Sequence, residues 1–203
     1  MFKIAVLVSG GGTNLQSIID AINSKYIDAR IEMVIGSKEG IYALERAEKN
    51  GIKTYVVSKK DYKDDFSYKI LELTRGKVDL IVLAGFLSIL DGEILDEFKN
   101  KIINIHPSLI PAFCGPGMYG IKVHEAVIKS GVKVSGCTVH FVNSEVDGGA
   151  ILTQETVPVY FSDDSQKLQK RVLEKEHMIL SKSIKLISEG KVKIIDGRVN
   201  IEE

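Results

Sequence analysis

Cysteine is nearly missing from this chain: Cys114 and Cys137 are the only two in 203 residues. Two thiols are too few for a disulfide framework or a four-thiolate metal site. An excess of charge is missing as well. Lysine and arginine number 27, and so do aspartate and glutamate, so no overall basic field draws the chain to nucleic acid or to an anionic membrane. No apolar run approaches the length of a membrane span, and the first residues enter a strand directly instead of forming a signal peptide. Internal repeats and low-complexity linkers are lacking. So are a metal-ligand cluster and a G-x-S-x-G nucleophile elbow. These absences exclude several classes and leave the cytoplasm as the default compartment. A hydrophobic content of 44% and a charged content of 27% belong to a soluble globular protein long enough to bury a large core.

What is present is an alternation of strand and helix. Strands are expected at Phe2–Val8, Ile31–Gly36, Lys53–Val57 and Val78–Leu83, and at the stretch from Ile102 that Pro107 ends. Helices are expected after Asn14, over Ile41–Lys49 and from Phe66. Asn50-Gly51 stops the second of these. The order reads as α/β, a doubly wound and mostly parallel sheet. Beyond it come a helix over Val123–Lys129 and an antiparallel strand pair, Lys133–Asn143 and Ala150–Val159. A long helix from about Asp164 to Ile187 follows, with an Asp196-Gly197 hairpin after it.

Four features of this frame carry possible chemistry. The first is Ser9-Gly10-Gly11-Gly12-Thr13-Asn14, between a buried strand and a helix N-terminus, with Thr13 or Asn14 as the cap. Such a loop is either an anion cradle or a tight turn with no ligand. It is neither G-x-G-x-x-G nor a P-loop, because position 15 is Leu, so dinucleotide binding is disfavoured. The second is Asn104-Ile105-His106-Pro107, whose Asn and His project from one face of a strand end. Ligands of open α/β sheets gather at such ends; the plainer alternative is a loop cap beside an ordinary structural histidine. The third is Asp147 before Gly148 and Gly149, a pattern also typical of turns. The fourth is Glu176, which falls on the apolar stripe of the long helix with Leu168, Val172, Ile179 and Leu180. A carboxylate there is costly unless it meets a partner or a polar pocket.

Three other stretches read more plainly. The Ala84–Leu90 run reads as core packing, or else as the wall of a pocket for a flat, partly apolar ligand. Ser58–Asp65 is a solvated charge run. His140 reads as a structural histidine, or else as a hydrogen-bonding group near the site. Together the four features suit direct acyl transfer. Asn104 and His106 donate to a developing oxyanion, while Asp147 holds the imidazolium. A carboxylate beside a histidine favours its charged form, so His106 is expected to work as an acid near neutral pH.

At these residues the sequence resembles the folate-dependent formyltransferase family. The stretches that carry the likeness are Val-Ser-Gly-Gly-Gly-Thr-Asn-Leu-Gln at 8–16, Asn-Ile-His-Pro-Ser-Leu-Ile-Pro at 104–111, and Gly-Cys-Thr-Val-His-Phe-Val at 136–142 running on to Val-Asp-Gly-Gly at 146–149. The resemblance implies a single formyltransferase domain over residues 1–203. Residues 1–100 would hold a phosphoribosyl substrate; residues 101–203 would hold the catalytic groups and the folate. The reaction implied moves a formyl group from the co-substrate 10-formyltetrahydrofolate to the amine of 5-phosphoribosylglycinamide, a step of purine biosynthesis, without a metal. Asn104, His106 and Asp147 would be catalytic. Gly12, Thr13 and Asn14 would grip the substrate phosphate, and Glu176 would lie near the glycinamide amine. Folate contacts would come from Lys63, Leu87, Ser88, Ile89, Leu90, Asn104 and Asn143.

Better-known members carry arginines toward the folate where this chain has Lys63 and Ser88. Lys63 can still meet a carboxylate as a point charge; Ser88 cannot. The implied partners are small molecules, with no nucleic acid or membrane, and the chain would be a monomer or weak homodimer. A tRNA formyltransferase would need a further basic domain. A formyltetrahydrofolate hydrolase would usually carry an N-terminal regulatory domain, and a non-catalytic phospholigand-binding module would keep only the glycine loop.

Overall fold

A computed structural model describes residues 1–202. Its main sheet has seven strands in the order β3-β2-β1-β4-β5-β6-β7. The chain divides into two compact units, Met1–Asn104 and the residues from Ile105 onward.

In the first unit the strands are β1 (Phe2–Val8), β2 (Ala29–Gly36), β3 (Thr54–Val56), β4 (Leu80–Leu83) and the start of β5 (Ile102–His106). All their pairings are parallel. Ile4 to Val8 and Leu80 to Val82 are fully buried, as continuous apolar runs must be when helices cover both faces of a sheet. The helices are α1 (Thr13–Asn23), α2 (Tyr42–Lys49), α3 (Lys59–Tyr62), α4 (Phe66–Thr74) and α5 (Glu93–Glu97). Leu15, Ile18 and Ile19 form the buried stripe of α1. Helix α2 stops as its sequence dictates. Gly51 takes φ +68° and donates to Glu48 O, and Ile52 donates back to Ala47 O, the bond pair that closes a helix on a left-handed residue. The charge run at 58–65 stays mostly exposed, but it folds into α3 and one 3-10 turn, with Ser58 capping α3 through Lys60 N. Short helix α5 had no counterpart in the sequence reading. The register of β4 and β5 sets Asn104 opposite Leu83, the last residue of β4.

In the second unit α6 (Ile121–Ser130) precedes the antiparallel pair β6 (Val134–Phe141) and β7 (Ile151–Pro158). Helix α7 (Ser165–Ser188) packs on both strands and on α6. Asp164 caps α7 by accepting from Lys167 N at 2.7 Å. Its buried stripe runs through Leu168, Val172, Glu176, Ile179, Leu180 and Ile184. A small hairpin, β8 (Val192–Ile195) and β9 (Arg198–Ile201), turns at Asp196-Gly197 with both φ angles positive, as a two-residue hairpin turn requires.

Candidate active site

The glycine loop of the first unit is built differently from the sequence expectation in one respect. The residue capping α1 is Gly12, at φ +72° in the left-handed region, and not Thr13 or Asn14. A glycine has no side chain to offer the first turn of the helix, so no N-cap side chain bonds the first turn of α1. Any Cβ at position 12 would sit 2.6 Å from Ala43 Cβ. Gly10 and Gly11, by contrast, look into open space. The loop is tied to the 84–90 segment by Ser9, which donates from N to Gly85 O at 3.1 Å and accepts Leu87 N on Oγ at 3.0 Å.

That segment is only partly core. Ala84, Phe86 and Leu90 are buried, but Leu87 and Ile89 are 60% and 55% exposed. Two large aliphatic side chains facing outward side by side suit the pocket-wall reading and overturn core packing for the run as a whole. Ser88 is half-buried between them, and Lys63 is exposed with φ +47°.

On β5, Asn104 is half-buried and His106 is 4% exposed. In the second unit His106 Nδ1 lies 3.7 Å from Asp147 Oδ2. Its Nε2 is 3.0 Å from the Phe113 carbonyl. A carbonyl can only accept, so Nε2 carries the proton. Asp147 stands between two imidazoles, because His140 Nε2 approaches Oδ1 at 3.6 Å while His140 Nδ1 donates to Phe141 O at 2.8 Å. The Gly115 amide adds a bond to Asp147 Oδ2 at 2.8 Å. Asp147 itself holds φ +57°. A non-glycine residue in that region costs about 1–2 kcal/mol, a strain that gathers at functional turns. Gly149 follows because a Cβ there would run into the Phe141 carbonyl.

Charge in this cluster corrects one expectation. His106 is not an acid poised near neutral pH: its pKa is lowered from 6.5. Burial dominates. The Phe113 carbonyl and the Asp147 charge push the other way without overcoming it, and His140 adds to the lowering. Asp147 is held below the ordinary carboxylate value. Burial opposes its charge, but His140, the Gly115 amide and His106 together outweigh that opposition. Burial thus disfavours the charged form of the imidazole, while the charged form of the carboxylate is favoured.

The loop after β5 is fixed by its own polar contacts. Ser108 Oγ donates to Ala112 O at 2.6 Å and to Phe113 O at 3.2 Å, which commits its only proton to the loop. Thr138 on β6 donates to Ser108 O and accepts from Ile110 N and from Gln154 Nε2. The Ile110–Pro111 bond is cis.

His124, on α6, was not anticipated. It is 1% exposed, and its Nδ1 has no hydrogen-bond partner among the described residues. Burial, then the neighbouring His106, drives its pKa from 6.5 down to about 4. The sign of the consequence is definite. Between these two values the unfolded chain binds a proton that the folded chain refuses, so stability is fully present above about pH 6.5 and is lost as pH falls toward 4. The loss amounts to about 3 kcal/mol at 1.36 kcal/mol per pH unit. Urea midpoints at pH 7 and pH 4.5 check it: His124→Leu is expected to flatten the acid slope that the wild type shows.

Glu176 is 8% exposed on α7, as its place on the stripe implied. Its charge reaches Cys137, whose thiol is pushed up by burial first and by Glu176 next, so Cys137 is an inert packing residue. Asn143 is exposed and accepts Glu145 N on Oδ1 at 2.9 Å, an Asx-type turn that leads into Asp147. The part of His140 was underrated. A turn as short as 142–150 returns Asp147 toward the end of β6, and that return was the available signal.

In the first unit a glycine loop follows a parallel strand, and in the second a histidine and a carboxylate are paired after a strand end. The formyl transferase family model matches residues 2–184, and the chain belongs to that family. It is 41% identical over 200 residues to the phosphoribosylglycinamide formyltransferase of Haemophilus influenzae, covering 97% of this chain and 92% of that protein. It is 42% identical over 195 residues to the trifunctional purine biosynthetic protein adenosine-3 of Gallus gallus, covering 95% of this chain but only 19% of that much longer protein. Among solved structures, glycinamide ribonucleotide transformylase 1 from Symbiobacterium toebii superposes with a TM-score of 0.94 at 39% identity, covering 100% of this chain and 95% of that one. No described helix is long and apolar enough to cross a membrane.

Proposed function

We propose that this chain transfers the formyl group of 10-formyltetrahydrofolate to the amine of 5-phosphoribosylglycinamide, in purine biosynthesis. The observation that carries the reading is the buried His106–Asp147 pair, beyond Asn104 on one strand, in a member of the formyl transferase family. The first unit contributes Gly12, Thr13 and Asn14 as the grip on the substrate phosphate. Residues 1–100 thus serve the phosphoribosyl substrate, and residues 101–203 the chemistry. Leu87, Ser88, Ile89 and Leu90 meet the pterin; Asn143 borders the same ring; Lys63 meets the folate tail as a point charge. Glu176 orients the glycinamide amine. Both substrates are small molecules, and a monomer or weak homodimer suffices.

The chemistry follows from the resting charges. The amine nitrogen attacks the formyl carbon, and its proton passes to Nδ1 of His106, the ring nitrogen that carries none while Nε2–H is held by the Phe113 carbonyl. The carbonyl π pair moves onto oxygen, where Asn104 donates a hydrogen bond. The new imidazolium faces the Asp147 carboxylate through Nδ1, and that anion compensates its charge. As the bond from carbon to N10 breaks, the proton passes on to N10, leaving tetrahydrofolate and a formamide. No covalent intermediate with the protein is needed, in keeping with the engagement of Ser108.

The test is whether folate release depends on acceptor. Absorbance should report tetrahydrofolate when both substrates are present, with a burst-free steady rate and little signal when phosphoribosylglycinamide is left out. Equal rates with and without it would mean hydrolysis. No product under either condition, with phosphoribosylglycinamide still bound, would mean a binding module.

A further inference from the structure

Arg46 lies on α2 in the first unit, outside every residue given a role so far. Its guanidinium is fixed at three points. Nε donates to the Gly11 carbonyl at 2.9 Å, one terminal nitrogen donates to Gln16 Oε1 at 3.0 Å, and the group lies over the Tyr42 ring, 4.6 Å from its centre. All three partners are neutral, so none of them cancels its positive charge beside the loop.

The bond to Gly11 also sets direction. In a trans peptide the carbonyl and the following amide point opposite ways. Arg46 holds the Gly11 carbonyl against α2, and Ala43 N holds the Gly10 carbonyl there at 3.1 Å. The amides of Gly11 and Gly12 must then face away from α2. Through Gln16 the same guanidinium fastens the first turn of α1 to the loop. One side chain therefore links loop, α1 and α2.

We propose that Arg46 is a positioning residue for phosphate recognition: it turns the loop carbonyls backward so that the loop and helix amides converge on the substrate phosphate, and it adds its charge to that anion's field. The proposal rests on reading this loop as the phosphate cradle. Pre-ordered donors spare the ligand the cost of ordering them, so the effect belongs in affinity for the phosphorylated substrate.

The experiment compares wild type, Arg46→Ala, Arg46→Lys and Gln16→Ala on phosphoribosylglycinamide and on its dephosphorylated ribosyl analogue, with inorganic phosphate as a competing probe. Arg46→Ala should raise KM for the phosphorylated substrate about ten- to a hundredfold, with a far smaller fall in kcat and a matching rise in the phosphate inhibition constant. KM for the dephosphorylated analogue should hardly move. Arg46→Lys keeps the charge but loses the fork and should fall between; Gln16→Ala should shift KM in the same direction by less. A residue that merely supports the fold would lower the melting temperature and affect both substrates alike, and that result overturns the proposal. If Arg46→Ala does not fold, unchanged phosphate preference in the Lys and Gln16 variants overturns it equally. A wild type that does not prefer the phosphorylated substrate would instead refute the cradle itself, and the proposal with it.

Discussion

His106→Ala is expected to reduce kcat by roughly 10²–10⁴-fold, the usual share of a positioned acid–base group, while KM for both substrates changes little. The expectation follows from what the imidazole does and does not touch. It is buried, holds its proton on Nε2, and presents Nδ1 to Asp147 at 3.7 Å. On the proposed reading phosphate affinity lies with the glycine loop in the first unit, which the substitution leaves alone. Steady-state constants measured with each substrate varied in turn separate the two effects. A loss confined to KM would move His106 from chemistry to binding. The replacement also opens a small cavity, so a thermal melt should accompany the kinetics.

Asp147→Asn should lower kcat by about 10²–10³-fold, since an amide preserves the shape and removes the charge that supports the transient imidazolium. It should also move the acid limb of the rate profile. On the proposed mechanism His106 must be neutral to accept the amine proton, so activity should fall as pH drops through its pKa, which burial lowers from 6.5. The Asp147 carboxylate is a cause that raises that value; His140 and burial lower it. Without the anion the histidine gives up its proton still more readily, and the limb shifts to lower pH. The variant would thus be slower yet less sensitive to acid. An acid limb that stays in place would show that Asp147 acts only as a turn residue. The Gly115 amide would lose a charged acceptor in the variant, so a thermal melt of Asp147→Asn beside the kinetics separates loop anchoring from charge.

The frame and the chain positions of the site were legible because they rest on local chemistry. Short β-branched apolar runs such as Ile4–Val8, bounded by turn residues, suit strands covered on both faces. Asn104 and His106 share a strand face by simple alternation, and Glu176 announced itself as a charge on an apolar stripe. Less legible was whatever depends on chain segments meeting. A carboxylate beside a histidine was expected to raise the histidine's pKa, but its effect is set against burial, and burial comes from the fold. The cap of α1 lies one or two residues before Thr13 or Asn14, the residues that side-chain preference favours. The left-handed Gly12 pressed against Ala43 decides it instead. His140 and His124 look alike in sequence, each a lone histidine in an apolar setting. Only the return of the chain at 142–150 brings one of them to Asp147.

The most direct test of this account joins two readings of one group. Imidazole NMR gives the midpoint at which His106 titrates, and kcat/KM against pH gives the midpoint of the acid limb in the free enzyme. Both midpoints should coincide below 6.5, and both should fall further in Asp147→Asn. A His106 that titrates above 6.5, or an acid limb that does not follow it, would contradict the claim that a buried, neutral histidine backed by Asp147 carries the proton of this reaction.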